Sequence, residues 1–485
     1  MRKIGKFCLV FLAIGALLLV LAAACGGDEE EKGTPTATRP AATATSTAAA
    51  TAKPTTKPTT APTAAATATP TAAPTTAPTT APTTAPTTAP TTEPSPAAMQ
   101  VEDIKGINDE RILLGSHFAK TGTYGAAFAP VIKGAEAYFR YVNAELGGIA
   151  ACGGRDIEIK VIDDAYDPAN SPAAVRELVE QDEVLAIAFG LGTAAHSAVW
   201  EYLNEKGIPD LWIMTGAHKW GATPEEHPWS ISILPDYFVE GTIFGKYISA
   251  NLPGKKVGVL YQNDDYGKDE LAGVKNGLDP AKNELVSEQS YEATAVDIRS
   301  QVTNLKNAGV EVVVGGGIPG HMAQAIKAAD QMGWDAQFFI GYVNSDEAMF
   351  TYAGGAKVME GVMTMQGNKM ASWTDDPAIA EHHRIMREYG DIAPGNFTVE
   401  GQLAAETMVE ALTRACNNGD LTRQGLMDAV HSFQDVSSDL GLPGITFTFS
   451  PTDHYAVESM RLLVATVTPE GKGKYEYVGD LISFR

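Results

Sequence analysis

The feature that most constrains the fold of this chain is an alternation of strand-like and helix-like stretches between residues 111 and 341. Each strand-like stretch is short and rich in branched or aromatic side chains, and a longer helical stretch follows it. The strand-like stretches are RILLGSHF (111–118), DIEIKVID (156–163), VLAIAFG (184–190), IPDLWIM (208–214), KVGVLYQ (256–262), LVSEQSY (285–291), VEVVVGG (310–316) and QFFIG (337–341). This alternation is typical of parallel sheets that helices cover on both faces.

The alternation breaks at 215–235 and then restarts, which predicts two α/β lobes. The folded part begins near residue 102 and is about 380 residues long, more than one hydrophobic core usually serves. We therefore expect two doubly wound lobes with parallel central sheets. Ligands of such sheets bind at the carboxyl ends of the strands. The loops at those ends are Ala119–Ala126, Gly190–Ala195, Thr215–Trp220, Asn263–Tyr266, Gly315–Gly320 and Tyr342–Asp346.

The N-terminus has the form of an export signal. Three basic residues precede an apolar run, and the sequence LAAAC then places small residues directly before Cys25. A basic segment followed by an apolar one is typical of a signal peptide, and LAAAC resembles a bacterial lipobox, whose cysteine is lipidated and becomes the mature N-terminus. We predict a signal peptide over 1–24 and a lipid anchor on Cys25. The alternative is an uncleaved signal anchor with an incidental cysteine.

Residues 25–101 form a linker dominated by Thr, Pro and Ala, with five consecutive copies of APTT between Ala73 and Thr92. This composition cannot seed a core, and it favours an unfolded chain with polyproline character. Fully extended at about 3.1 Å per residue, the segment reaches on the order of 200 Å. We predict a disordered spacer that lifts a folded domain off a membrane.

Charge and motif content exclude several functional classes. The formal net charge is −23, which argues against a nucleic-acid partner. Asp163, Asp164 and Asp167 lack the spacing of a calcium loop. His382 and His383 lack a zinc-binding frame and are expected on an exposed helix face, so we expect no metal. No nucleophile elbow or other catalytic constellation is present.

Two cysteines, Cys152 and Cys416, remain in the predicted mature domain. Outside the cytoplasm a disulfide between them is permitted. Their spacing alone does not distinguish a disulfide from two unpaired small apolar residues, so both interpretations stay open.

The stretch EVVVGGGIPGHMAQAI (311–326) contains Gly315-x-Gly317-x-x-Gly320, the letter pattern of a dinucleotide-binding turn. Such a site also needs an acidic residue at the end of the following strand. That strand ends at Gly341, and Asp335 precedes it instead of following it. We therefore predict no cofactor and interpret the glycines as a close turn that lines the cleft.

Seven stretches carry a resemblance to a known family. They are TGTYGAAFAPVIKGAEAYFRYVNAELGGI, IDDAYDP, FGLGTAAHSAVWEYLNEKGIP, TGAHKWG, YQNDDYGKD, AIKAADQMGWDAQFFI and SPTDHYAVESMRL, in this order. Together they resemble the substrate-binding proteins of branched-chain amino-acid ABC transporters, the leucine-binding protein family, over about residues 108–480. The resemblance implies a type I periplasmic-binding-protein fold with a three-strand hinge. Lobe one is then 102–233 plus 368–456, and lobe two is 234–367 plus 457–485.

The same resemblance implies what the protein does. We expect an extracytoplasmic, monomeric receptor, not an enzyme, that binds a small molecule and delivers it to an ABC permease and ATPase complex. A ligand-binding receptor of a membrane signalling system is the alternative, since the linker suits either.

Ligand-binding residues follow from the resemblance position by position. Thr193, at the start of a predicted helix that ends at residue 205, matches a hydroxyl residue that binds the ligand carboxylate, although an ordinary helix cap explains it equally well. Gly216, Ala217 and His218 match a second binding loop. Tyr266 matches an aromatic of lobe two that closes over the ligand, and its alternative is a core tyrosine.

Three further residues depart from the family pattern. Tyr124 lies in the first candidate loop but does not align with the family's aromatic. Ile318 replaces a second aromatic of lobe two. Asn344 lies where amino-acid binders place a carboxylate for the α-ammonium, and a buried ammonium without a counter-charge is costly. The resemblance thus implies a branched-chain amino acid, while this departure favours a related carboxylate or amide, and Asp346 is a second candidate for the missing charge.

Overall fold

The computed structural model describes residues 105–122 and 125–483. The predicted signal peptide (1–24), the lipidation residue Cys25, the linker (25–101) and Tyr124 all lie outside the described residues. The described residues belong to one compact unit of the chain.

The first sheet has five parallel strands in the order β2-β1-β3-β4-β5. They are β1 Arg111–Phe118, β2 Asp156–Asp163, β3 Ile187–Ala188, β4 Asp210–Ile213 and β5 Ser230–Ser232. The bounds predicted for β1 and β2 are confirmed. Of the stretch predicted as the third strand, only two residues pair in the sheet, and Phe189 then takes a left-handed backbone conformation, with a φ of 61°. We call the part of the chain built on this sheet lobe one.

The second sheet has seven strands in the order β12-β11-β10-β9-β8-β6-β7. They are β6 Lys256–Gln262, β7 Glu284–Tyr291, β8 Val312–Gly316, β9 Gln337–Ile340, β10 Met363–Gln366, β11 Ser459–Val467 and β12 Gly473–Ser483. β6 to β9 are parallel, as predicted. β10, which was not predicted as a strand, pairs parallel with β9 and antiparallel with β11, and β11 pairs antiparallel with β12. Lobe two is the part built on this sheet.

Helices cover both sheets. They are α1 Ala129–Tyr141, α2 Ser171–Arg176, α3 Thr193–Ser197, α4 Trp200–Lys206, α5 Lys219–Ala222, α6 Tyr237–Asn251, α7 Asp265–Gly277, α8 Arg299–Asn307, α9 Pro319–Gln331, α10 Ala348–Tyr352, α11 Ala356–Met359, α12 Pro377–Tyr389, α13 Asn396–Asn417 and α14 Arg423–His431. Short 3₁₀ turns lie at Gly125–Phe128, Ala150–Cys152 and Tyr342–Asn344, and π-helical turns at Val142–Leu146 and Glu177–Gln181.

The chain passes between the sheets three times. The first crossover follows β5, the second follows β10, and the third precedes β11. Helices α12 to α14 lie between the last two crossovers and return to lobe one, where α13 packs on α1. This arrangement confirms the two-lobed type I periplasmic-binding-protein fold, with three connections forming the hinge.

A disulfide joins Cys152 to Cys416, with the two Cα atoms 5.1 Å apart. It ties the turn at Ala150–Cys152 to the end of α13. The long α13 is thereby anchored to lobe one at the end opposite the cavity described below.

The prediction that His382 lies on an exposed helix face is wrong. Its side chain is buried, and its ring nitrogens lie 2.8 Å from Gln402 Oε1 and 2.8 Å from Thr398 Oγ1. Burial lowers the pKa of His382 to about 4. His383 is partly buried and bonds to the Ala371 carbonyl, so the pair belongs to the packing of α12 on its surroundings.

Candidate functional site

A narrow cavity lies between the lobes, where loops at the carboxyl ends of strands from both sheets meet. The space between its lining atoms, counting the open space at its mouth, is about 430 Å³. Lobe one contributes Phe128, Val131, Tyr166, Leu191, Gly192, Thr193, Met214, Thr215, Phe397 and Glu400, and the first crossover and lobe two contribute Leu234, Tyr237, Tyr266, Ile318 and Val343. Three of the predicted site residues, Thr193, Tyr266 and Ile318, are therefore brought together.

Two threonine hydroxyls form the polar part of the lobe-one wall. Thr193 follows β3 and Thr215 follows β4, and their Oγ1 atoms are hydrogen bonded to each other. The Thr215 side chain is also hydrogen bonded to the Tyr237 side chain, and a chain of three hydroxyls keeps one hydrogen to donate elsewhere. The helix predicted from Thr193 to residue 205 is two short helices, α3 and α4, separated at Ala198 and Val199.

The predicted loop Gly216–Ala217–His218 continues directly from Thr215. A side chain at Gly216 would place its Cβ only 1.9 Å from the Pro235 carbonyl oxygen, so this position accepts glycine alone. The Tyr237 amide donates to the Gly216 carbonyl at 2.8 Å, and Ala217 is buried. The loop therefore packs against the first crossover behind the cavity wall.

Aromatic rings form much of the rest of the wall. The rings of Tyr237 and Tyr266 lie 4.0 Å apart, and the Tyr266 hydroxyl donates to the Gly317 carbonyl at 3.2 Å. Burial raises the pKa of both phenols, which stay neutral. The glycine turn thus contributes to the cavity wall. It places Ile318 in the wall, and the Gly317 carbonyl accepts the hydrogen bond that positions Tyr266.

Tyr166 is a wall residue that the sequence analysis did not identify. It follows β2 with a left-handed φ of 62°. Gly192 makes room for it, since a Cβ there would lie 2.7 Å from the Tyr166 ring. Its stacked neighbour Phe128 lies in the same wall. The sequence feature that could have identified Tyr166 is an aromatic residue in a loop directly after a predicted strand.

Asn344 does not line the cavity. It is fully buried, and its amide donates to the carbonyls of Gly317 and Gly341 at 2.9 Å and 3.0 Å. These bonds brace the loops after β8 and β9 against each other. Asp346 is not in the wall either, because its carboxylate accepts hydrogen bonds from the amides of Ala348 at 2.8 Å and Phe397 at 3.0 Å.

A carboxyl group that the sequence analysis missed does line the cavity. Glu400 lies in the second turn of α13, is 6% exposed, and its Oε2 atom has no hydrogen-bond partner in the structure. Burial raises the pKa of Glu400 to about 8, and a hydrogen bond with Tyr342 offsets only part of that rise. A lone acid within the apolar stretch NFTVEGQLAA was the available sequence signal.

Contacts between the lobes close both sides of the cavity. On one side, the His218 amide donates to Asp269 at 2.8 Å, and Lys219 Nζ lies 2.9 Å from Asp265. On the other side, the start of α13 is hydrogen bonded to the loop after β9. The side-chain amide of Asn396 donates to the Ser345 carbonyl at 3.0 Å. The structure is thus a closed conformation, and His218 lies at the lobe boundary.

Two features, a metal site and a membrane-spanning helix, are absent from the described residues. Among them, no group of three or more His, Cys, Asp and Glu side chains is placed to hold a metal ion. Within the same part of the chain, no helix is both long and apolar enough to cross a membrane.

Known proteins share this architecture. Residues 112–472 match the family model described as periplasmic binding protein. The Leu/Ile/Val-binding protein homolog 1 of Brucella abortus is 28% identical over 335 residues, which cover 68% of this chain and 85% of that protein.

Two solved structures are similar in fold. A branched-chain amino acid ABC transporter protein from Thermus thermophilus with bound valine has a TM-score of 0.68 at 21% identity, covering 78% of this chain and 98% of its own. A fatty acid ABC transporter substrate-binding protein from Thermomonospora curvata has a TM-score of 0.67 at 24% identity, covering 79% of this chain and 95% of its own.

Proposed function

Because this chain belongs to the periplasmic binding protein family, we propose that it is a lipid-anchored receptor outside the cytoplasm that delivers a small organic solute to an ABC importer. Its relatives are substrate-binding proteins, not enzymes. The observation that carries the proposal is the closed cavity, whose wall combines residues of both lobes. A solute held there is enclosed until the lobes separate, which suits a carrier that releases its cargo at a permease.

The solute we propose is a branched-chain amino acid or a related small carboxylate or amide. The Thr193 and Thr215 hydroxyls supply a hydrogen-bond donor for a carboxylate or carbonyl oxygen. The remaining wall is mostly apolar and aromatic, which suits a branched or aromatic body. The similar proteins named above are described with Leu, Ile, Val or a fatty acid as their solutes.

A lipid on Cys25 and the linker over 25–101 would tether this receptor to the membrane. We further propose that it acts as a monomer and that its macromolecular partner is a permease and ATPase complex. Cys25→Ser should move the protein from the membrane to the soluble fraction and leave solute binding unchanged. A membrane-held Cys25→Ser variant would contradict the lipid anchor.

The receptor function is tested by a thermal-shift screen over amino acids, aromatic acids, short-chain carboxylates and amides. A solute at 100 times its Kd stabilises the native state by about 2.7 kcal/mol, an easily measured shift. Small-angle scattering should then show a smaller radius of gyration with the stabilising solute than without it. An unchanged radius at saturation would argue against a receptor that closes on its cargo.

A further inference from the structure

Glu400 is the one ionisable group of either sign, apart from tyrosines, among the described residues that line the cavity. It has no cationic partner there. A buried carboxylate without a counter-charge is costly, and it becomes neutral instead. Glu400 is therefore neutral in this conformation, and a positive charge beside it would favour its ionisation.

The groups around Glu400 do not supply that charge. Tyr342, on the turn after β9, is within hydrogen-bonding reach, and Asp346 on the same loop is negative. Tyr166, Tyr237 and Tyr266 approach from β2, α6 and α7. Two further acids, Glu240 on α6 and Glu270 on α7, form a buried pair beside Tyr342 and Tyr266, outside the cavity wall.

We propose, resting on the proposed receptor function, that Glu400 receives the ammonium group of the solute and that the solute is an amino acid. Glu400 lines the cavity, its Oε2 atom is buried without a hydrogen-bond partner, and an ammonium group would bring three donors and a positive charge. The threonine pair in the same wall takes the carboxylate. Both ends of a zwitterion are then matched, and the charge absent at Asn344 is supplied from lobe one.

This assignment implies that Glu400 releases its proton when an amino acid binds. Glu400 has a pKa of about 8, so it is mostly protonated at pH 7. Binding an ammonium group ionises it, and that proton passes to the buffer. The affinity for an amino acid should accordingly rise about tenfold per pH unit between about pH 6 and pH 8, while the affinity for a carboxylate without an ammonium group should not.

The experiment compares matched pairs of probes by calorimetry: L-leucine with 4-methylpentanoate, and L-phenylalanine with 3-phenylpropanoate. The wild-type protein should prefer the amino member, and in buffers of different ionisation enthalpy it should release close to one proton per amino acid bound. Glu400→Gln should weaken amino-acid binding about a hundredfold or more, erase the preference and abolish proton release. Since Glu400 is neutral at pH 7 before binding, the amide preserves its shape and charge.

Glu406→Gln is the matched control. Glu406 lies on the same helix, is largely buried, and accepts hydrogen bonds from Gln402 at 2.9 Å and Ser438 at 2.5 Å outside the cavity. This variant should keep both the preference and the proton release.

Equal binding of the two members of each pair, or amino-acid binding without proton release, would overturn the Glu400 assignment. So would a protein that binds carboxylates or amides of the thermal-shift panel but no amino acid, and in that case the receptor function would still stand. A protein that neither shifts in melting temperature nor contracts with any compound of that panel would overturn the receptor function, and the assignment with it.

Discussion

Asp346 forms a hydrogen bond between the lobes that stabilises the closed conformation. It belongs to lobe two, yet its Oδ2 atom accepts a hydrogen bond at 3.0 Å from the Phe397 amide in the first turn of α13, which belongs to lobe one. The amides of a helix N-terminus are free to donate and favour negative charge. This bond forms only when the lobes are together, so Asp346→Asn should destabilise the closed state and spare the open one.

The size of the effect follows from the bond type. A hydrogen bond to a charged group contributes about 1.5–3 kcal/mol, which corresponds to about 10- to 150-fold in affinity when the open form predominates without solute. Calorimetry with the tightest-binding solute of the screen should show this loss for every solute alike.

Asp376→Asn is the control for helix capping as such. Asp376 accepts hydrogen bonds from the Ala378 and Ile379 amides at the start of α12, within lobe one. Its replacement should cost stability without weakening solute binding. Equal weakening by both variants, or a change below threefold for Asp346→Asn, would refute the role of Asp346 in closure.

Three further perturbations test other parts of the molecule. Thr193→Val should weaken solute binding about tenfold to a hundredfold in calorimetry, whereas Thr407→Val, which removes a buried hydroxyl bonded within α13, should not. Cys152→Ser opens a disulfide that spans 264 residues and should lower the free energy of unfolding in urea by up to about 5 kcal/mol, with affinity unchanged. The bond to Asp236 raises the pKa of His218, so this stabilisation is present below about pH 6.5 and lost as the pH rises through the raised value. Wild-type protein should therefore lose more stability above pH 6.5 than His218→Gln, and parallel pH profiles would contradict this.

The strands of both sheets were predictable where the sequence is locally decisive. β1, β2 and β6 have the predicted bounds. Each is a short stretch rich in branched apolar residues, and in β2 these alternate with charged residues. The antiparallel pairing of β10 with β11 was not predicted, because the residues that pair lie about 95 positions apart in the chain. No local pattern encodes such a partner.

The candidate site was predictable where its residues directly follow predicted strands. Thr193, Tyr266 and Ile318 follow strand ends, and parallel strands bring their carboxyl ends together. Glu400 and Phe397 come instead from the start of a helix that returns from a crossover, so their arrival at the cavity is a result of topology. Asn344 follows a strand end as well, but its amide is used by neighbouring carbonyls.

The start of α13 joins recognition to closure. Phe397 at its first turn meets Asp346 across the lobe boundary, and Glu400 one turn later faces the cavity. The disulfide fixes the other end of the helix in lobe one. Both contacts therefore depend on the relative position of the two lobes. A solute that engages Glu400 binds to the same helix end that Asp346 must reach, and each contact favours the other. The two acids should nevertheless be separable by substitution, because Glu400→Gln changes which solutes are preferred, whereas Asp346→Asn changes how tightly all of them are held.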